Sequence, residues 1–446
     1  YNTLRSWFFH SGGYPILDIM SDDATKGSNP TDQASNLNAF NDFTFTAAQD
    51  GLDRWWTTLY EGIKRTNVVI EKVPPIDMDA ALKNRLLAEA RFLRALFYFD
   101  LVRTWGGVPL VLDTNPGLSL GRATAEEVYQ TVIADLKFAI DYLPLQSALD
   151  PADDGRATKG AAEAYLAKVY LYRKDFPNAE TYALRVIQSN EYSLDPSFSH
   201  TFSILGQFNS ESIFEVGALG FDGTTNGGNQ YANTQGVRGT PNRGWGFNRP
   251  SLNLIDGFEK GDPRKEATVI FLGETIDGVK IIGDGSTPDI TYSDPPANTV
   301  VQEIECYNQK VWIPGTSTAE QWGHNRRLMR YADVLLMAAE ALNENGKTTE
   351  SRVHLNAVRA RARGNDNTLL PDVRETDPAA LRDLILQERR FELALEGHRF
   401  YDLVRTGKAA AVLGPLGFKT NKHELLPIPQ SEIDISQRAI VQNKGW

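Results

Sequence analysis

Residues 157–194 read "ATKGAAEAYLAKVYLYRKDFPNAETYALRVIQSNEYSL". Apolar residues recur at three- and four-residue steps on both sides of "KDFPN" (174–178), which predicts two antiparallel helices joined by a tight turn. Leu166, Ala167, Tyr170, Ala179 and Ala183 fall on the offsets of a tetratricopeptide repeat. The small residues let two helices approach closely, and Tyr170 fills the groove between them. Residues 329–362, "MRYADVLLMAAEALNENGKTTESRVHLNAVRARA", repeat the logic with Ala339, Leu342, Ser351 and Leu355 at matching positions. The full repeat consensus is not met, so two unrelated helical hairpins stand as the plainer alternative.

Working outward, helical periodicity dominates both ends of the chain. "DRWWTTLYEGIKRTNVVIEKV" (53–73) carries Trp56, Leu59, Ile63, Val69 and Val73 on one stripe and stops at Pro74-Pro75. "ALKNRLLAEARFLRALFYFDLVRTW" (81–105) is striped by Leu82, Leu86, Ala90, Leu93, Phe97 and Leu101 and ends at Gly106-Gly107. Thr124 and Glu127 form a capping-box pattern ahead of the next helix. Trp55, Trp56 and Trp105 sit on stripes or at helix ends and are assigned to the core. Between about 211 and 325 the pattern changes. Short alternating runs suggest strands, "ETIDGVKII" has the Asp-Gly of a tight hairpin, and 220–250 is a long Gly- and Asn-rich loop. Residues 10–40 have the same irregular character. The division expected is a loop-rich segment 1–54, a helical scaffold 55–210, a loop-rich insertion 211–325 with short strands, and a helical scaffold 326–446.

The chain has 446 residues, is 41% hydrophobic, and carries a net charge of −11. That is enough apolar material for a large core. The acidic balance disfavours a phosphate backbone, so no nucleic-acid partner is expected. Cys306 is the sole cysteine, which excludes a disulfide framework and a cysteine-based zinc site. No run reaches the ~18 apolar residues that a membrane helix needs.

Charge is densest in "LILQERRFELALEGHRFYDLVRTG" (384–407). Leu381, Leu384, Ile385, Phe391 and Leu395 trace an apolar stripe, with Arg389, Arg390, Glu392 and Glu396 mostly off it. The spacing is that of a salt-laced helix surface, and His398 is read as structural. The stretch is scaffold, not an acid–base site. Other catalytic signatures fail: "HELLP" lacks a second zinc-binding His, "GTSTA" is not a nucleophile elbow, and no phosphate loop occurs. The Asp-rich "DPADDG" and "GDGSTPD" do not fit a calcium loop. What remains is a set of rings in polar loops: Trp7, Phe8, Phe9, Trp245, Phe247, Trp312 and Trp322, with Asp18, Asp22, Asp23, Asn242 and Arg243 close in sequence. Sugars suit such surfaces, because their C–H faces pack on rings and their hydroxyls bond to Asp, Asn and Arg.

These helical segments, with "SLNLIDGFEKGDPR" (251–264) and "HELLPIPQSEID" (423–434), follow one another in an order that resembles the SusD/RagB-like outer-membrane lipoproteins over nearly the whole chain. The resemblance implies one domain over 1–446, mostly α, in which tetratricopeptide-like pairs form a superhelix backing a loop-rich half with short β-hairpins. It implies a non-catalytic cell-surface binder of an oligosaccharide, delivering it to a SusC-like TonB-dependent transporter. It further implies tethering to the outer membrane by a lipidated N-terminal Cys that this chain does not contain. Ligand contacts would come from variable loops, with Trp7, Asp22, Asp23, Arg243, Trp245 and Trp322 as the candidate residues. No cofactor is expected; a calcium ion is allowed for, but no ligand set can be named. Two alternatives are an all-α glycoside hydrolase, which would need a second placed carboxyl beside Asp22 or Asp23, and a peptide-binding tetratricopeptide scaffold.

Overall fold

The computed structural model describes residues 1–116, 120–219, 230–285, 304–314 and 323–446. The main helices are α1 (Ala34–Asn41), α2 (Asp50–Lys72), α3 (Ala80–Trp105), α4 (Ala125–Tyr142), α5 (Lys159–Tyr172), α6 (Phe176–Gln188), α7 (Tyr331–Glu344), α8 (Thr348–Arg363), α9 (Pro378–Glu392) and α10 (Arg399–Arg405). Short strands β1 (Ala24–Gly27), β2 (Ser212–Val216), β3 (Phe247–Pro250), β4 (Val269–Phe271), β5 (Thr275–Ile276), β6 (Val279–Lys280), β7 (Cys306–Asn308) and β8 (Arg326–Arg330) pair antiparallel as β1–β3, β2–β8, β4–β7 and β5–β6.

The repeat pairs form as their spacing predicts. α5 packs on α6 and α7 on α8, and α7 also packs against α6, so the two pairs stack. Leu166, Ala167, Ala179 and Ala183 are buried, as are Ala339, Leu342, Ser351 and Leu355. The Ser351 hydroxyl donates to the Ala339 carbonyl at 2.6 Å, which satisfies a polar group inside an alanine-rich seam. At α4 both halves of the capping box close: the Glu127 N–H donates to Thr124 Oγ1 and the Thr124 N–H to Glu127 Oε2, at 3.2 and 2.8 Å. In "ETIDGVKII", Asp277 and Gly278 adopt φ of 51° and 77°, the left-handed pair that a two-residue hairpin between β5 and β6 requires.

Trp55, Trp56 and Trp105 pack together with ring centroids 5.0 and 5.3 Å apart, each at most 1% exposed. The Trp105 indole donates to the Pro427 carbonyl at 3.0 Å, pinning the C-terminal segment to the helical core. α2 and α3 approach closely at Gly62, where an added Cβ would lie 2.4 Å from the Phe97 ring. Alanine is the better helix former by about 1 kcal/mol. Even so, Gly62→Ala is expected to lower the melting temperature, by the equivalent of about 1–3 kcal/mol of overpacking. An unchanged or raised midpoint would show that the α2–α3 contact has slack.

One expectation is corrected here. The charged face of α9 is not a wet surface: Glu388, Arg389 and Glu392 are buried, and Leu384 on the supposed apolar stripe is 36% exposed. Arg264, Arg330 and Arg361 converge on Glu392, while Arg330 and Lys310 hold Glu396 at 2.8 and 2.7 Å. Arg389 bridges Asp333 and Asp402 at 2.8 and 2.9 Å, and Lys168 reaches the same Asp333 at 2.9 Å. His398 is structural as expected: burial and the Lys168 ammonium beside it hold its pKa down to about 3. Glu392, Glu396, Asp333 and Arg389 are tolerated inside because each has at least two partners of opposite sign.

Candidate functional site

The N-terminal segment lies across the start of α2. Gly12, at φ 84°, passes so near Gly51 that a Cβ would sit 2.0 Å from the Gly51 carbonyl oxygen, so only glycine permits this crossing. The crossing sets a turn of Trp7, Phe8 and Phe9 beside α1 and the first turn of α2. The Trp7 indole N–H donates to the Gly13 carbonyl, which fixes the ring plane. Phe8 stacks on Trp7 at 5.3 Å, and Tyr14 and Trp245 meet Trp7 edge-on at 5.5 and 5.6 Å. Tyr14 in turn meets Phe247 on β3 at 4.9 Å, and the Arg54 guanidinium lies 4.7 Å from the Phe8 ring centre.

Trp7, Phe8, Tyr14 and Arg54 line an open cleft of about 280 Å³, which Trp245 and Phe247 back without lining it. Trp7, Phe8 and Tyr14 supply an aromatic side, Leu37 and Phe40 line its apolar part, and Gln33, Asn36, Gln49, Asp50 and Arg54 supply polar groups. Part of the polar set is already ordered. Gln49 Nε2 donates to the Asn36 carbonyl at 2.6 Å, and Asn36 Nδ2 donates to Gln33 Oε1 at 3.1 Å. Arg54 is paired with Asp50 at 2.8 Å, so the two charges cancel at the mouth. Half-buried rings beside pre-oriented amides can hold an uncharged polyhydroxylated ligand by stacking and hydrogen bonds.

Of the six residues named from sequence, the structure brings Trp7 and Trp245 into contact. Trp322 lies outside the described residues. Arg243 is 8% exposed and its guanidinium sits 5.7 Å from the Trp312 ring centre, away from this cleft. Asp22 and Asp23 need correction, since both are buried in ion pairs. Asp22 takes two bonds from Arg399, at 2.8 and 2.9 Å, and Asp23 takes one from Arg390 at 2.6 Å. They join the early segment to α9 and α10 and present no carboxylate to a ligand. Substituting Asp22 would therefore disturb the fold before any site. The polar side of the cleft is not read from sequence: Gln33 and Gln49 stand just ahead of α1 and α2, and Asn36 and Arg54 lie near the starts of those helices, residue types with no distinctive spacing. Among the described residues, no group of three or more His, Cys, Asp or Glu side chains is arranged to hold a metal ion, and no helix is long and apolar enough to cross a membrane.

Two family models cover most of the chain: the SusD family over residues 210–416, and a model described as "Starch-binding associating with outer membrane" over residues 16–171. "SusD-like protein P2" of Formosa agariphila is 31% identical over 432 residues, which span 91% of this chain and 83% of that protein. A solved "Laminarin binding SusD-like protein" matches all of this chain and 96% of its own, at 31% identity and a TM-score of 0.82. Surface glycan-binding protein A from Bacteroides thetaiotaomicron, solved in complex with laminarihexaose, is 26% identical with a TM-score of 0.77, covering 96% of this chain and 93% of its own. A fold of stacked helix pairs, a loop-borne aromatic cleft and a 31%-identical relative matched along nine-tenths of the sequence lead to one conclusion: the chain belongs to the SusD family.

Proposed function

We propose that this protein is a non-catalytic, surface-exposed binder of an oligosaccharide, taken up against Trp7, Phe8 and Tyr14. It is tethered to the outer membrane by an N-terminal lipid and passes its ligand to a SusC-like TonB-dependent transporter. The observation that carries the reading is the cleft itself: rings on one side, amides on the other, and no net charge at its mouth. Neutral sugars fit this chemistry better than sulfated or uronic ones, because Arg54 is already neutralised by Asp50. Laminarin and its oligosaccharides are the first ligands to test, since similar proteins are described as binding laminarin or were solved with laminarihexaose.

Each stacked ring contributes on the order of 0.5–1.5 kcal/mol beyond the area it buries. Trp7→Ala is therefore expected to weaken laminarihexaose binding about tenfold or more in calorimetry. Prolonged incubation with laminarin should release no reducing ends. Equal affinity of the variant and the parent would place the site elsewhere. Turnover would replace the binder with a hydrolase, and failure of every neutral glycan to bind would remove the carbohydrate reading.

A further inference from the structure

Away from the aromatic cleft, a second opening of about 400 Å³ lies between the first turn of α5 and the last turn of α6. Such a volume is in the range of small-molecule sites. It is lined by Leu145, Lys159, Glu163, Arg185, Gln188 and Ser189. Glu163 is only 6% exposed. Among the described residues nothing hydrogen-bonds its carboxylate or pairs with it, although it faces this opening. That is unusual in this molecule, where Glu388, Glu392 and Glu396 each meet an arginine or lysine. Lys159 and Arg185 likewise form no ion pair among the described residues, and Arg185 rests over the Tyr182 ring at 4.8 Å. Glu191, at the edge, is engaged by the backbone and hydroxyl of Ser147 at 2.7 and 3.0 Å.

The Glu163 oxygens open onto this cleft with no donor among the described residues, so a ligand that supplies one replaces water there with a charge-assisted bond. Burial pushes the Glu163 pKa up, while Lys159 and Arg185 pull it back. A lone cation in the opening would meet those two positive charges. A lone anion would meet Glu163, and a neutral ligand would leave all three charges unpaired. We propose that this cleft binds a small zwitterion with free α-ammonium and carboxylate groups, such as an amino acid or short peptide, the ammonium on Glu163 and the carboxylate between Lys159 and Arg185.

The test is calorimetry on the whole chain with glycylglycine as the probe, and with methylammonium and acetate as its separated halves. Glycylglycine should bind saturably, and methylammonium and acetate each at least about tenfold more weakly. Glu163→Gln and the exposed Arg185→Gln should each weaken glycylglycine about tenfold or more. Glu163→Gln removes no hydrogen bond or ion pair among the described residues, so its melting temperature should stay close to that of the parent. Trp7→Ala should leave glycylglycine binding unchanged, which separates this site from the glycan cleft. The proposal is overturned if glycylglycine gives no saturable heat, if Glu163→Gln binds it as the parent does, or if methylammonium alone binds equally well.

Discussion

Glu392→Ala is expected to cost about 3–5 kcal/mol of folding free energy, the scale for breaking a buried ion pair by removing one partner. That is a large part of the ~5–15 kcal/mol that holds a typical domain together. The loss is large because Glu392, fully buried, is the shared partner of Arg264, Arg330 and Arg361, which would remain inside without it. Glu126→Ala provides the contrast: its pair with Arg173 is exposed, and losing it should cost no more than about 1 kcal/mol. Denaturant midpoints of the two variants check the difference, and equal losses would mean that burial of the network does not matter. The same network sets the acid limit. Burial alone would raise Glu392, but Arg361, Arg330 and Arg264 outweigh it and hold the carboxyl down to about 2; Arg330 and Lys310 do the same for Glu396. A carboxyl lowered in the folded state stabilises at pH above its ordinary value of 4.5, and that stability drains away as pH falls from there through about 2. The parent should therefore weaken steeply over that window, and Glu392→Ala, weaker throughout, should show a shallower slope.

The helix pairs were legible because their information is local. Spacing of Leu166, Ala167, Ala179 and Ala183 on one face, and "KDFPN" between, says helix, turn, helix without reference to the rest of the chain. The Asp277-Gly278 turn is legible for the same reason: two adjacent left-handed residues have few other uses. Rings in the irregular N-terminal segment were also visible, and Trp7 and Trp245 do meet. The meaning of the charges was not legible. Along α9 the alternation of Arg and Glu is the same whether water or protein faces it. What buries Glu392 is Arg264 and Arg330, which come from 128 and 62 residues away. Asp22 and Asp23 failed as ligand candidates by the same route, since Arg390 and Arg399 lie far along the chain. Polar residues lining the aromatic cleft were hidden for a different reason: Gln33, Asn36 and Gln49 become a constellation only where Gly12 crosses Gly51.

Asp18→Asn is expected to raise stability at neutral pH, the reverse of the Glu392 result. Asp18 is 2% exposed and accepts from the Gly397 N–H at 2.8 Å and from Asn248 Nδ2 at 3.2 Å. Among the described residues no arginine or lysine forms an ion pair with it to outweigh burial, and Asp23 and Glu396 repel its ionised form, so its pKa rises to about 7. A carboxyl raised in the folded state contributes stability that is complete below its ordinary value of 3.8 and is lost as pH climbs through about 7. The full shift corresponds to at most about 4 kcal/mol. Asparagine removes that loss but brings its own amide against the Asn248 amide. The Asn248 Oδ1 has no hydrogen-bond partner among the described residues and can turn to accept it, at the expense of the 2.8 Å bond from Asn248 to Gln235. The net gain at pH 8 should then be roughly 1–3 kcal/mol, after subtracting one buried hydrogen bond. Melting temperatures from pH 5 to pH 8 should fall in the parent and stay nearly level in the variant. Equal slopes in both would assign the neutral-pH titration to another group. Because Asn248 adjoins Phe247, whose ring backs Tyr14 in the aromatic cleft, laminarihexaose titrations on the same samples would show whether ionising Asp18 is felt at the proposed site or only by the fold.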